Sequence, residues 1–223
     1  MRIMSRTRIL LTGFGPFPGI SDNPSARLVE TLTGASSFAP RDCELRTEVF
    51  PTEWGAVGML VPRLLKSVQP DVTIHFGVSR QAHSLRIERS AHNRIVPRVD
   101  AAGVLPARRT IHVGGPARLD STVAVPRLAA KLRESGVPAN SSAHAGSYLC
   151  NFLYYHSLAW AMSRDAAAKM LFVHIPVARS EGGPLEDANL LRGAQTILHF
   201  MLSTSHENQI PAERVRTASR GRR

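Results

Sequence analysis

The chain of 223 residues holds two cysteines and nine histidines, and Cys150 is the side chain best set up to make a covalent bond. It follows AGSYL (145–149) and opens a long helical pattern, NFLYYHSLAWAMS (151–163). A thiol at a helix N-terminus faces unsatisfied N–H groups and the positive end of the helix dipole, surroundings that favour a thiolate and hence nucleophilic attack. The plain alternative is a small buried residue, the usual state of a free cysteine. Cys43 has no comparable context and reads as structural.

A thiol nucleophile needs a proton acceptor brought close in space. His174 lies near the end of LFVHIP (171–176), at the strand end where side chains of an open α/β sheet converge on a ligand crevice. A strand histidine of this kind also fits a satisfied core position. Glu88, in SLRIERSAHN (84–93), is an acid able to hold the far ring nitrogen of His174 and set its tautomer; a salt bridge to Arg86 or Arg89 would explain it equally. Other chemistries find less support. Gly13 and Gly15 make a GxG with no third glycine and a proline next, and neither HExxH nor GxSxG occurs. His83, His92, His112, His144 and His156 have no metal-ligand spacing, so no metal is expected.

The elements that would position these groups come from alternating apolar runs and helical periodicity, the pattern of a layered α/β domain. RILLTGF (8–14) reads as a buried strand leading into a Gly-Pro loop, with Asn23 as N-cap and Pro24 opening a helix to Leu32. CELRTEVFPT (43–52) reads as a strand. GAVGMLVPRLLKSV (55–68) reads as a helix kinked at Pro62 or starting there. DVTIHFGV (71–78), SLRIERSAHN (84–93) and MLFVHIPV (170–177) read as further strands; helices are expected over 123–135 and 185–202. Residues 94–115, rich in Pro, Gly and Arg, read as a long excursion of the sort that often carries function.

Composition bounds the rest. With 43% hydrophobic residues the chain can bury a sizeable core. The net charge of +11 suggests an anionic partner, but residues 1–8 carry +3 and residues 211–223 carry +4, leaving +4 between them. A nucleic-acid partner is therefore not expected, and the 6% aromatic content offers no stacking surface beside a basic stripe. Two distant cysteines, an N-terminal apolar run of only Ile9 to Leu11 and no apolar stretch near membrane-spanning length read as a cytoplasmic protein without membrane attachment. We expect a basic extension over 1–8, one domain over 9–210 and a frayed basic tail over 211–223.

Four separated segments together resemble the pyroglutamyl peptidase I (pyrrolidone-carboxylate peptidase) family of cysteine peptidases. LLTGFGPFPGISDNPS (10–25) resembles that family's Gly-Phe-x-Pro-Phe loop and Asn-Pro-Ser; FGVSRQAHSLRIERSAHN (76–93) resembles its glutamate segment, with Asn93 matching a family asparagine; AGSYLCN (145–151) and FVHIP (172–176) resemble its cysteine and histidine segments. The resemblance implies a single-domain three-layer α/β/α sandwich with a mixed, mostly parallel sheet. It implies removal of N-terminal pyroglutamate from peptides, without a cofactor, by Cys150 as nucleophile, His174 as base and Glu88 as the acid behind it. It further implies that Phe14 and Phe17 sandwich the lactam ring, that Asn23 bonds its carbonyl, that Tyr148 and Leu149 complete the wall, and that Arg98 assists the Cys150 N–H at the oxyanion. A homo-oligomer, dimer or tetramer, is the expected assembly.

The chain also departs from the family pattern. SRQAH (79–83) stands where many bacterial members have Gly-Gly-Arg, Val78 stands where some have glutamine, and residues 94–118 match poorly. Other readings are an inactive binding protein on the same scaffold, a nucleic-acid binder using its basic ends, and a phosphorylase-like enzyme, for which no phosphate cradle is found. Arg86, Arg89, Arg94 and Arg98 crowd around Glu88 in sequence. Gathered at a site mouth, they would favour a thiolate and acidic peptide tails.

Overall fold

The computed structural model describes residues 6–35, 38–164, 168–177, 179 and 182–207. Its elements are β1 (Thr7–Phe14), α1 (Pro24–Gly34), β2 (Cys43–Phe50), α2 (Trp54–Val68), β3 (Val72–Val78), β4 (Leu85–Glu88), β5 (Ser90–His92), β6 (Arg118–Asp120), α3 (Val125–Glu134), β7 (Ala139–Ser142), α4 (Leu149–Met162), β8 (Lys169–Ile175) and α5 (Asp187–Glu207). Six strands form one sheet in the order β2-β1-β3-β8-β4-β7, and β5 and β6 form a separate antiparallel pair. Every neighbour in the large sheet is parallel except β4 against β8.

The period of two along each strand divides the core into two layers. Ile9, Leu11, Val72, Ile74, Leu171 and Val173 pack with α1, α3 and α5 on one face. Leu10, Met170 and Phe172 pack with α2 and α4 on the other. Helices thus cover both faces of a mixed, mostly parallel sheet, the three-layer α/β/α architecture expected. Long parallel runs such as β3 and β8 are apolar almost throughout because both of their faces are covered. α4 is likewise apolar on most sides, burying Leu149, Leu153, Tyr154, Tyr155 and Leu158. Each large apolar side chain buried there contributes roughly 1.5–3 kcal/mol.

Three local expectations are corrected. The segment 84–93 is not one strand: it breaks at Arg89, whose N–H donates to the Ser142 carbonyl and whose carbonyl accepts from the Ser121 N–H. β4 stays in the large sheet while β5 leaves to pair with β6. α2 does not start at Pro62: of the two readings, the helix that continues through the proline holds, running from Trp54, and the proline is exposed, where the carbonyl left unpaired can face water. α4 begins at Leu149, so Cys150 is its second residue and not the one before it. The first strand also starts at Thr7, two residues inside the segment read as an extension, and the Arg8 N–H donates to Asp71. The basic tail over 211–223 lies outside the described residues. Among the described residues no helix is long and apolar enough to cross a membrane.

Candidate active site

The parity of the strands decides which side chains meet. On β8, His174 shares the α4-facing side with Met170 and Phe172. On β4, Leu85 and Ile87 go to the opposite layer, which turns Arg86 and Glu88 toward His174. Antiparallel pairing sets Arg86 directly across from His174 and leaves Glu88 further along β4. Glu88 is fully buried there, and its Oε1 accepts a 2.7 Å hydrogen bond from Nδ1 of His174. The Arg86 Nε lies 3.8 Å from the same oxygen. The two readings of Glu88 are therefore both realised, with the imidazole much the closer partner.

Cys150 comes down on this edge from α4. A methyl group at Gly77, on β3 beside β8, would lie 3.1 Å from the Cys150 Sγ and 2.8 Å from the Phe172 ring. The absence of a side chain at 77 is what lets the thiol approach the sheet. The helix N-terminus is held by Asn151, fully buried, whose amide donates to the carbonyls of His92 and Arg94 and accepts from the His92 N–H. Helical bonding begins with the Phe152 N–H on the Tyr148 carbonyl. The Cys150 N–H, one residue pair ahead of it, has no acceptor among the described residues and is an orphan donor of the helix start.

Burial alone would lower the pKa of His174. The negative charge of a Cys150 thiolate, a hydrogen bond with that sulfur and the Glu88 carboxylate outweigh it and push the imidazole up to about 9. With Nδ1–H committed to Glu88, Nε2 is left for the sulfur. Next to this set, His75 on β3 behaves in the opposite way: its Nδ1 meets the Thr12 hydroxyl at 2.7 Å and its Nε2 the Ser157 hydroxyl at 2.8 Å. Burial with neutral partners holds its pKa down at about 3.

Cys150 and His174 open onto a cavity of about 510 Å³. Phe14, Phe17, Asn23, Tyr148, Leu149 and Arg98 all line it, so every residue given a catalytic or substrate-binding role from the sequence is at the cavity or, for Glu88, directly behind it. Asn23 caps α1 as expected: its Oδ1 accepts from the Ser25 N–H and hydroxyl, and its Nδ2 donates to the Gly15 carbonyl. One Nδ2 hydrogen remains for a ligand. Tyr148 is T-stacked on Trp54 at 5.1 Å and its hydroxyl donates to the Val99 carbonyl, while the Arg98 guanidinium lies 5.1 Å from the Tyr148 ring centre. Thus the excursion after β5 returns to wall the site. The sequence did not point to Gly77 or Asn151, nor to Thr52 and Arg80, which also line the cavity. A glycine inside a buried strand was a usable signal for the first; the others carry none. Among the described residues no three His, Cys, Asp or Glu side chains gather as metal ligands would.

A layered α/β protein with a thiol, an imidazole and a carboxylate ranged across one end of its sheet has the side-chain set of a cysteine hydrolase. Comparison narrows this class. The sequence model of the pyroglutamyl peptidase family matches residues 7–182, and the chain belongs to that family. It is 35% identical to pyrrolidone-carboxylate peptidase 1 of Ralstonia nicotianae over 79% of this chain and 82% of that protein. Against human pyroglutamyl-peptidase 1 the identity is 29%, over 92% and 94% of the two chains. The crystal structure of pyroglutamyl peptidase I from Bacillus amyloliquefaciens superposes with a TM-score of 0.80 at 26% identity, covering 89% of this chain and 98% of that one.

Proposed function

We propose that this chain removes N-terminal pyroglutamyl residues from peptides by acyl transfer through Cys150. The single observation that carries the reading is the 2.7 Å contact of His174 with the buried Glu88, at a cavity that Cys150 also lines. With its pKa raised to about 9, the imidazole is protonated near neutral pH, and the Cys150 thiolate is the nucleophile in this reading. The Cys150 Sγ attacks the pyroglutamyl carbonyl carbon, forming a C–S bond. His174 gives its Nε2 proton to the departing amine as the C–N bond breaks. Water then loses a proton to His174 and attacks the thioester carbon; the C–S bond breaks and pyroglutamate leaves. Glu88 keeps the imidazolium oriented throughout.

The oxyanion would take the orphan Cys150 N–H, and one such donor typically lowers a barrier by about 3 kcal/mol. Arg98 is a further donor in this reading. The lactam is small and uncharged, so it suits a wall of Phe14, Phe17, Tyr148 and Leu149 with one aimed donor, the spare Asn23 Nδ2 hydrogen. No metal or organic cofactor enters the reaction. The reading includes a cytoplasmic homo-oligomer, one catalytic domain that opens with β1 at Thr7, and no membrane partner; the absence of a nucleic-acid partner is supported by the modest charge of +4 between the basic ends.

Release of a fluorophore from a pyroglutamyl amide, compared with prolyl and glutaminyl amides, tests the activity. The wild type should cleave only the first, and Cys150→Ser should cleave none. Equal rates on pyroglutamyl and prolyl amides, or full activity in the serine variant, would refute it.

A further inference from the structure

The sheet order gives the cavity a direction. The end of β1 supplies Phe14, and the loop after it Phe17 and Asn23, at one end; Gly77 on β3 sits under the sulfur; His174 on β8 comes next; and Arg86 on β4 stands across from His174. A ring held by the phenylalanines, with its carbonyl over Cys150, sends the leaving amine past His174 toward β4. There the cavity continues into a second cleft of about 380 Å³ at the β4–β7 edge, and the two share Gln81 and Arg86. The Arg86 guanidinium points along this path, donating at 3.0 Å to the Ser142 hydroxyl.

Away from the Cys150–His174 pair, the charge around this path is of one sign. Arg80, Arg86 and Arg98 line the cavity, and among the described residues no aspartate or glutamate lines it or the cleft. Arg80 reaches from the loop after β3 to the Pro18 carbonyl at 3.5 Å, closing the rim over the Phe17 loop. Among the described residues neither Arg80 nor Arg98 makes an ion pair, whereas Arg27, Arg118 and Arg179 each do. The nearest acid, Glu88, is fully buried and committed to His174 and Arg86. Two of the four arginines that crowd around Glu88 in sequence, Arg89 and Arg94, do not line the cavity; Arg80 takes their place.

We propose that this site selects pyroglutamyl peptides carrying a carboxylate just beyond the scissile bond, held by Arg86 and Arg80. The proposal rests on the pyroglutamyl peptidase reading and adds a substrate class to it. A carboxylate there exchanges water for charge-assisted bonds to a guanidinium already turned toward it, and meets no acid on the cavity wall, since Glu88 lies behind it against His174. The carboxylate has two sources, an acidic side chain on the residue after pyroglutamate or the free terminus of a pyroglutamyl dipeptide.

Four substrates separate them: pyroglutamyl-alanine with a free carboxylate, its amide, pyroglutamyl-glutamate amide and pyroglutamyl-lysine amide. For the wild type, kcat/KM on at least one carboxylate substrate should exceed that on the alanine amide by about tenfold, the scale of one charge-assisted hydrogen bond. The lysine amide should be the poorest. A gain in the dipeptide alone assigns the terminus, and a gain in the glutamate amide alone assigns the side chain. The preference should shrink with added salt and fall to about one in Arg80→Gln/Arg86→Gln, with Arg80→Gln alone intermediate. Arg86 also touches Glu88, so the double variant will be slower on every substrate; the ratio between substrates is the readout that a purely structural role leaves unmoved. Equal wild-type rates on all four, or an unchanged ratio in the double variant, overturns the selectivity while leaving the peptidase reading intact. Cleavage of none of the four overturns the peptidase reading and the selectivity with it.

Discussion

Nδ1 of His174 and Oε1 of Glu88 lie 2.7 Å apart on neighbouring strands that run in opposite directions, in a sheet whose other described neighbours are parallel. The reversal brings the acid underneath the imidazole, out of solvent. Glu88→Gln keeps the volume and removes the charge that orients the imidazolium. We expect kcat to fall about 10³- to 10⁴-fold with KM little changed and the circular dichroism spectrum preserved. A loss under tenfold would remove Glu88 from the mechanism.

The raised pKa of His174, about 9, has consequences of known sign. Activity should decline as pH rises through about 9, because the imidazolium that protonates the leaving amine is lost. The same shift contributes stability that is fully present below the unfolded value near 6.5 and lost through pH 9, at most about 3 kcal/mol. In Cys150→Ser the thiolate charge is gone, so the imidazole pKa should drop by at least a unit in a proton NMR titration. An unchanged value would mean that the sulfur and the ring do not interact.

Gly77→Ala puts a methyl 2.8 Å from the Phe172 ring and 3.1 Å from the Cys150 sulfur. Neither contact is with a long flexible tip, so the helix start or the ring must shift. The expected cost is about 1–3 kcal/mol in thermal or denaturant unfolding, with kcat/KM falling at least tenfold through misplacement of the thiol. Wild-type activity in this variant would show that the sulfur has room to spare.

His75 predicts the acid limb. Its folded pKa, about 3, lies below the unfolded value, so the stability it contributes is present above pH 6.5 and is lost as pH falls from there toward 3. Up to about 5 kcal/mol is at stake, from a shift of about 3.5 units. His75→Gln should be less stable at pH 7, having given up the paired bonds to Thr12 and Ser157, yet should lose less stability between pH 6.5 and 4. Denaturant midpoints at the two pH values check this, and parallel losses in both proteins would contradict it.

Much of the site was legible because chemistry restricts residue type. A thiol at a predicted helix start, a histidine at a strand end and an acid in an alternating segment all line or back one cavity. The loop aromatics and Asn23 were legible as well, and the Asn23 cap is formed by the residue the pattern named. The break at Arg89 was only half legible: an arginine falls where the alternation of Leu85 and Ile87 calls for an apolar residue, but what ends β4 is a pair of backbone bonds to Ser142 and Ser121, both distant in sequence. Arg80 gave no signal, since an exposed arginine in a short loop looks the same wherever that loop sits.

Alternation along each strand determined which of its residues share a layer, and the unbroken apolar runs of β3 and β8 determined that both of their faces are covered. The sequence also determined the helices on both faces and the residue types that could transfer an acyl group. Strand order and direction lay beyond it, because a period of two is the same read parallel or antiparallel and next to any neighbour. Only the tertiary structure set β4 antiparallel against β8, and with that it decided that Glu88 lies beneath His174 and that Arg86 stands across from it at the exit of the cavity.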